Sequence, residues 1–400
     1  MKYLNEINVS NKRVFIRADL NVPLTDELKV GDDTRIRAAL DTILFVVNNG
    51  GSAIVSSHLG DPGGKRDASF SLKPVADYMS NLLKREVLFA NDCVGPEVSK
   101  LAKALKPKEV LLLENLRFHP GEKANDEGFA RELASLADIY INDAFATAHR
   151  AHASTVGMVK YSKLYAAGLT IKRELEYFNK AFEAPVHPFM AILGGAKVST
   201  KIEVIRNLAK KADKILIGGA MANTFLAARG LQVGKSLFEP EQIETAQQVE
   251  GTLAETNKLL LPIDVIVASD ISEPSSSKVV GIDAVPPHMT ILDIGPKTIA
   301  MFKNELDIAK TIIWNGPMGA FEHKGFERGT YGIVDLLVNC KNALRVVGGG
   351  DTDRAIHEQH ALEKLDFVST AGGAFLKLLE GKKLPAIEAL KAPGGAGGCC

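Results

Sequence analysis

Short β-rich runs alternate with stretches of helical spacing along almost the whole chain, and that alternation limits the fold more than any single motif. In the first half it predicts strands at Val14–Ala18, Ala53–Ser57, Val87–Ala90, Val110–Leu113 and Ile139–Ile141. In the second half it predicts them at Phe189–Leu193, Lys214–Ile217, Val265–Ala268, Thr311–Trp314, Leu344–Val347 and Phe367–Ser369. Between them, Arg35–Val47, Leu72–Leu83, Glu127–Leu136 and Lys201–Ala209 have the apolar period of a helix face. Strands taking turns with helices imply parallel sheets covered by helices on both faces. Eleven strands crowd one open sheet at 400 residues, so two such α/β domains are expected.

The division falls near 168–182. GLTIKRELEYFNKAF has helical periodicity and then meets Ala184-Pro185-Val186-His187-Pro188, where two prolines stop the helix. Its polar faces suit a helix that bridges two lobes. No internal repeat is evident. The end, APGGAGGCC (392–400), is Gly-rich and too short to pack, so it reads as a flexible tail. Its terminal Cys399-Cys400 does not meet the C-a-a-X prenylation pattern, which leaves exposed thiols as the plainer expectation.

Composition removes several classes of function. Lys plus Arg and Asp plus Glu both number 48, so no global field favours nucleic acid or an anionic membrane. No apolar run approaches a membrane span, and MKYLNEINVSNKR lacks the apolar core of a signal peptide. Four cysteines (Cys93, Cys340, Cys399, Cys400) make no disulfide framework at this length and suit a reducing cytoplasm.

The chemistry concentrates at strand ends. The second half carries glycine turns at Gly194-Gly195, Gly218-Gly219, Gly316–Gly319, Gly348–Gly350 and Gly372-Gly373. Glycines there let backbone amides and helix N-termini approach a phosphate, and five in one half point to a nucleotide. Neither a P-loop nor a GxGxxG fingerprint is present, which weakens a dinucleotide oxidoreductase reading, and no H-R-D kinase loop occurs. Lys197 and Lys201 stand four apart, which on a helix puts both ammonium groups on one face beside the first glycine turn. Asp351 would repel phosphate unless a metal intervenes; Mg²⁺ uses few carboxylates plus phosphate oxygens, with Mn²⁺ accepted by the same ligands. A helix N-cap is its plainer role. His357 and His360 lack HExxH spacing and read as ordinary helix residues.

The first-half strand ends carry Asp19, Asn21, Arg35, His58, Arg117, His149, Arg150 and His152 instead. A guanidinium fork suits phosphate or carboxylate, so their recurrence favours an oxyanion pocket over scattered surface ion pairs.

The ordered series RADLNVP, SSHLG, ENLRFHPGE, NDAFATAHRAHAS, LGGAKVSTKI, WNGPMGAFE, VVGGGDT and STAGGAFLKLLEG resembles phosphoglycerate kinase from about Asn11 to Leu390. The resemblance implies an α/β fold of two Rossmann-like three-layer domains with parallel sheets joined by a hinge helix. A phosphoglycerate-binding domain (1–170) and a nucleotide-binding domain (186–381) would flank a hinge (171–185), with 382–391 packing back on the first. It implies a phosphoglycerate pocket of Asp19, Asn21, Arg35, His58, Arg117 and Arg150. Nucleotide contacts would come from Gly194, Gly195, Lys201, Gly218, Gly219, Pro317, Glu322 (ribose), Gly349, Gly350, Asp351 and Thr352, with Asp351 holding Mg²⁺. Arg35, Lys197, Gly372 and Gly373 would surround the transferring phosphoryl group.

The acyl phosphate's partner group is a carboxylate, so no general base is required, and none is conspicuous. Catalysis would be in-line positioning and charge neutralisation after closure of the lobes. A monomer acting on small molecules, without nucleic acid or membrane partners, is expected. A non-catalytic binding or surface-adhesion protein on the same fold is the alternative. The family's H-L-G-R-P turn usually carries arginine, whereas this chain has Asp61, which should weaken phosphoglycerate affinity; Arg66 is the candidate replacement. Ala220 and Ala371 stand where glycines are often seen, and only minor tightening of those loops is expected.

Overall fold

A computed structural model describes residues 1–254 and 257–392. The predicted tail lies outside the described residues from 393 onward. The described chain forms two compact units, Met1–Leu175 together with 383–392, and Glu176–Lys382.

The first unit carries six strands: β1 (Arg13–Arg17), β2 (Ser52–Ser56), β3 (Val87–Ala90), β4 (Val110–Leu113), β5 (Ile139–Asn142) and β6 (Tyr165–Ala167). They form one sheet in the order β3-β4-β2-β1-β5-β6, parallel throughout. Helices α1 (Thr34–Asn48), α2 (Lys73–Leu83), α3 (Pro96–Ala104), α4 (Pro120–Ala124), α5 (Glu127–Ser135) and α6 (Leu169–Phe178) connect or follow the strands. Ile36, Ala39, Ile43, Val46 and Val47 supply the buried stripe of α1. A parallel strand covered on both faces reads as continuous rather than alternating burial, as Val14-Phe15-Ile16-Arg17 do. That pattern is why an arginine can end a fully buried strand without breaking the apolar signal.

The second unit holds β7 (Phe189–Leu193), β8 (Lys214–Ile217), β9 (Leu259–Leu260), β10 (Asp264–Ala268), β11 (Lys278–Gly281), β12 (Thr290–Ile294), β13 (Thr311–Asn315), β14 (Leu344–Gly348) and β15 (Phe367–Ser369). Six of them make a parallel sheet, β15-β14-β13-β7-β8-β9. Its helices are α7 (Ile202–Leu208), α8 (Ala220–Ala228), α9 (Ile243–Ala254), α10 (Pro296–Leu306), α11 (Arg328–Asn339), α12 (Gly350–Glu358) and α13 (Gly372–Leu379). Trp314, at the centre of this sheet, is fully buried.

The parallel α/β architecture expected from the alternation is present, with two corrections. Val265–Ala268 does not join a parallel sheet: β10 pairs antiparallel with β11 and β12 in a separate three-stranded sheet. Four strands, β6, β9, β11 and β12, are not predicted by the sequence pattern. β6 and β9 are only three and two residues long, and β11 is half solvent-facing, so none offers a long apolar run.

The boundary between the units lies inside α6, which a π-helical turn at Asn179–Glu183 follows. Helix α14 (Pro385–Lys391) returns to the first unit, where the Ala386 amide donates to Ala148 O at 3.1 Å.

Candidate active site

Register brings the first unit's cationic loops together. Arg17 of β1 is level with Ser56 of β2 and Asn142 of β5, so the loops after these strands leave the sheet side by side. Arg17 is fully buried; its Nε donates to Ser154 Oγ at 2.8 Å and its NH2 lies 3.3 Å from His58 Nδ1. Arg35, at the start of α1, donates to Asn21 O at 3.0 Å and pairs with Asp19 at 3.2 Å. Asn21 Oδ1 accepts from the Gly60 amide at 2.8 Å, and Arg117 NH1 donates to Gly60 O at 2.7 Å. Arg150 is exposed, with its Nε 3.1 Å from His149 Nε2.

The crowding of cations registers on the histidines. His58 is held well below the ordinary imidazole range by burial and then by Arg17, Arg117 and Arg35. Burial, followed by Arg17, Arg117, Arg150 and Lys123, takes His152 down to about 4. Both rings are therefore neutral at pH 7. Arg117 Nε and His152 Nδ1 are buried without a hydrogen-bond partner among the described residues. Buried polar atoms are seldom left so, and a guanidinium N–H beside other arginines calls for an anion.

In the second unit, Leu193 is level with Asn315 and Ile217, Trp314 with Val347, and Gly348 with Ser369. All five glycine turns therefore emerge at one edge of the sheet, the C-terminal edge where α/β proteins bind ligands. A Cβ at Gly194 would stand 2.0 Å from Pro317 O, so the turns after β7 and β13 pack backbone on backbone. Gly195, Gly219, Pro317, Glu322 and Asp351 line one cavity of about 560 Å³, with Met318, Leu237 and Ile291 as its apolar wall. Gly218 lies just behind, against Met318.

Asn315 knots the turns. Its Nδ2 donates to Gly348 O at 2.5 Å, and its Oδ1 accepts from Lys201 Nζ. Thr352 Oγ1 accepts from the Gly316 amide at 2.8 Å, tying α12 to the turn after β13. Helices α12 and α13 begin beside one another: a Cβ on Gly372 would lie 3.2 Å from the Gly350 nitrogen. Gly373 follows, exposed, in the first turn of α13. Two N-termini thus concentrate partial positive charge near one point.

Asp351 sits in the first turn of α12 and is exposed. The N-cap is Gly349, at φ 123°, and no side chain caps the helix, so Asp351 does not take the N-cap role. Its carboxylate has no hydrogen-bond or ion-pair partner among the described residues. The lysine pair also differs from expectation. Lys197 lies exposed in the loop after β7, and Lys201 precedes α7 as its cap residue, so no helix face carries both. Lys201 is nonetheless directed inward, onto Asn315. Burial lowers it to about 8, against an upward pull from Asp351.

The chain matches the family model described as phosphoglycerate kinase over residues 4–382. It belongs to the phosphoglycerate kinase family. A relative named phosphoglycerate kinase from Anaeromyxobacter sp. (strain Fw109-5) is 50% identical over 394 residues, 98% of this chain and 99% of the relative. Another with that name, from Geotalea uraniireducens (strain Rf4), is 48% identical over 393 residues, 98% of each chain. The solved phosphoglycerate kinase of Coxiella burnetii superposes with a TM-score of 0.90 at 43% identity, covering 98% of this chain and 99% of that one. That of Pyrococcus horikoshii OT3 gives 0.85 at 30% identity, with 98% of each covered. The chain is accordingly a kinase, a transferase.

The sequence reading left out Arg17 and Asn315, whose side chains tie together the loops of the two candidate sites. Both end a buried strand, where apolar neighbours mask them; a charged or amide residue closing such a run was the available signal. Arg66 does not replace the arginine absent at position 61. Its NH2 donates to Asn91 O at 2.5 Å and faces Glu114 at 4.0 Å, in another pocket. Ala371 is the N-cap of α13 at φ −112°, a conformation any residue adopts. Asp92, Cys93 and His119 also converge, but their polar atoms are already engaged: His119 pairs with Asp92 at 2.6 Å, and the Cys93 thiol donates to the backbone of Glu114, at 2.9 Å.

Proposed function

We propose that the chain catalyses reversible phosphoryl transfer between 1,3-bisphosphoglycerate and Mg-ADP, giving 3-phosphoglycerate and Mg-ATP. The observation that carries this reading is Asp351, a carboxylate with no hydrogen bond or ion pair among the described residues, on the wall of a glycine-lined cavity beside two helix N-termini. An acid there is at odds with a bare polyphosphate and agrees with a metal-bound one. Asp351 would hold the Mg²⁺, and the bound ion would neutralise polyphosphate oxygens and help orient them.

The chain's own residues supply the rest. Asp19, Asn21, Arg35, His58, Arg117 and Arg150 hold phosphoglycerate, with Arg17 buttressing them from beneath. The apolar wall takes the base, Glu322 the ribose, and Lys201 with the α12 amides the phosphates. Arg35 would act on the transferring group as part of the phosphoglycerate pocket, and Lys197 with the α13 amides at Gly372 and Gly373 as part of the nucleotide site. The accepting carboxylate is already ionised, so no base need activate it. Transfer requires the two substrates to be brought into line and water excluded, since water would hydrolyse the acyl phosphate. Cys93 and Cys340 are both free thiols, which agrees with a reducing compartment such as the cytoplasm.

A coupled assay of phosphoglycerate- and Mg-ATP-dependent ADP release tests the reading, with Lys197→Ala and Asp351→Ala beside the parent. Both variants are expected to lose about 100-fold or more in kcat, the scale of removing a charge-stabilising group from a transition state. Robust turnover in both would sink the assignment.

A further inference from the structure

Asp61 places an acid at the rim of the arginine cluster, and Lys123 stands against it. The Asp61 carboxylate accepts from Lys123 Nζ at 2.9 and 3.2 Å, across 62 residues of chain. Both partners are anchored to the cluster by their neighbours. Asp61 follows Gly60, which Asn21 and Arg117 hold by its amide and carbonyl. Lys123 follows Glu122, which is fully buried and accepts at 2.6 Å from Ser154 Oγ, the hydroxyl that also receives Arg17 Nε. The field of Lys123 is felt at His152 together with those of Arg17, Arg117 and Arg150.

The side chains of Lys123 and Asp61 are 47% and 51% exposed, so water screens their attraction and the pair is easily exchanged. A phosphate dianion offers more charge and more acceptor oxygens than one carboxylate.

We propose that Lys123 gives the phosphate of phosphoglycerate the positive charge that position 61 lacks, with Asp61 as its counter-ion while the pocket is free. The proposal rests on the phosphoglycerate reading above. Asp61 then competes with substrate for one ammonium group, which makes the pair a determinant of affinity and not of the chemical step.

The test uses the full chain, with KM for 3-phosphoglycerate and kcat measured at saturating Mg-ATP. Lys123→Ala is expected to raise that KM about tenfold, the loss of one charge-assisted contact reduced by exposure. The kcat and the KM for Mg-ATP should stay near the parent's. Lys123→Arg should restore the KM, Asp61→Ala should lower it, and added salt should narrow every difference. Calorimetric titration of the same variants with 3-phosphoglycerate should reproduce the order without turnover. An active chain whose KM ignores Lys123→Ala overturns the proposal alone. So does Asp61→Ala raising KM as much as Lys123→Ala, since the pair would then be only a clasp. A parent chain with no phosphoglycerate-dependent turnover overturns the function itself.

Discussion

At the scale of single residues, Lys201 joins burial to a nearby acid, and the balance places its ammonium group close to titration at about pH 8. Its folded pKa lies below the unfolded value of 10.5, so the unfolded chain holds more protons between the two. Stability should therefore rise with pH across that window through this group, while the charge offered to a polyphosphate disappears. The KM for Mg-nucleotide is expected to be flat below pH 8 and to climb above it. Lys201→Gln should have a higher KM with no such limb; an unchanged limb in that variant would assign the titration elsewhere. His58 and His152, held neutral at pH 7, should add no limb between pH 6 and 8 to the KM for phosphoglycerate. Much of the candidate site was legible at this scale because its residues follow strands in short distinctive turns. Arg17 was not, since it continues a buried strand. Lys123 was not either, because only the fold brings it to Asp61 from 62 residues away.

At the scale of elements, the turns between strand and helix carry most of the constraint. Gly349 has φ 123°, and a Cβ there would meet Asn315 Nδ2 at 2.9 Å and Thr352 Oγ1 at 3.1 Å. Gly349→Ala should lower stability by about 1–3 kcal/mol through backbone strain and weaken nucleotide binding with it. Denaturant unfolding and nucleotide titration would expose the error if neither moved. In the first unit, Asp143 caps α6 by accepting from the Thr170 amide and hydroxyl, each at 2.8 Å. Burial raises its carboxyl to about 6 despite these bonds. A carboxyl raised above its unfolded value of 3.8 adds a stabilisation present below that value and lost as pH rises through 6. Asp143→Ala should cost about 2–3 kcal/mol, more at pH 5 than at pH 7, in denaturant titrations at the two values. A gap that widened toward pH 7 would contradict the assignment. The parallel strands were readable because burial on both faces gives continuous apolar runs. The antiparallel sheet was not, because β12 carries the buried Asp293 within it and β11 faces solvent.

At the scale of the whole molecule, each unit builds a parallel sheet and uses the loops at one edge, but the loops differ in kind. The first unit gathers guanidinium groups, which on the proposed function would hold a small anion by charge. The second gathers glycine turns and helix N-termini, which on the proposed function would admit a polyphosphate and leave an acid for its metal. The chain thus carries two kinds of candidate site, one in each unit. Calorimetric titration of the full chain with 3-phosphoglycerate and with Mg-ADP tests it, using Arg117→Met and Lys201→Met. A crossed result is expected: Arg117→Met loses affinity for 3-phosphoglycerate about tenfold or more and keeps Mg-ADP, and Lys201→Met does the reverse. Either variant losing both ligands equally while still folded, or neither losing any, would contradict it.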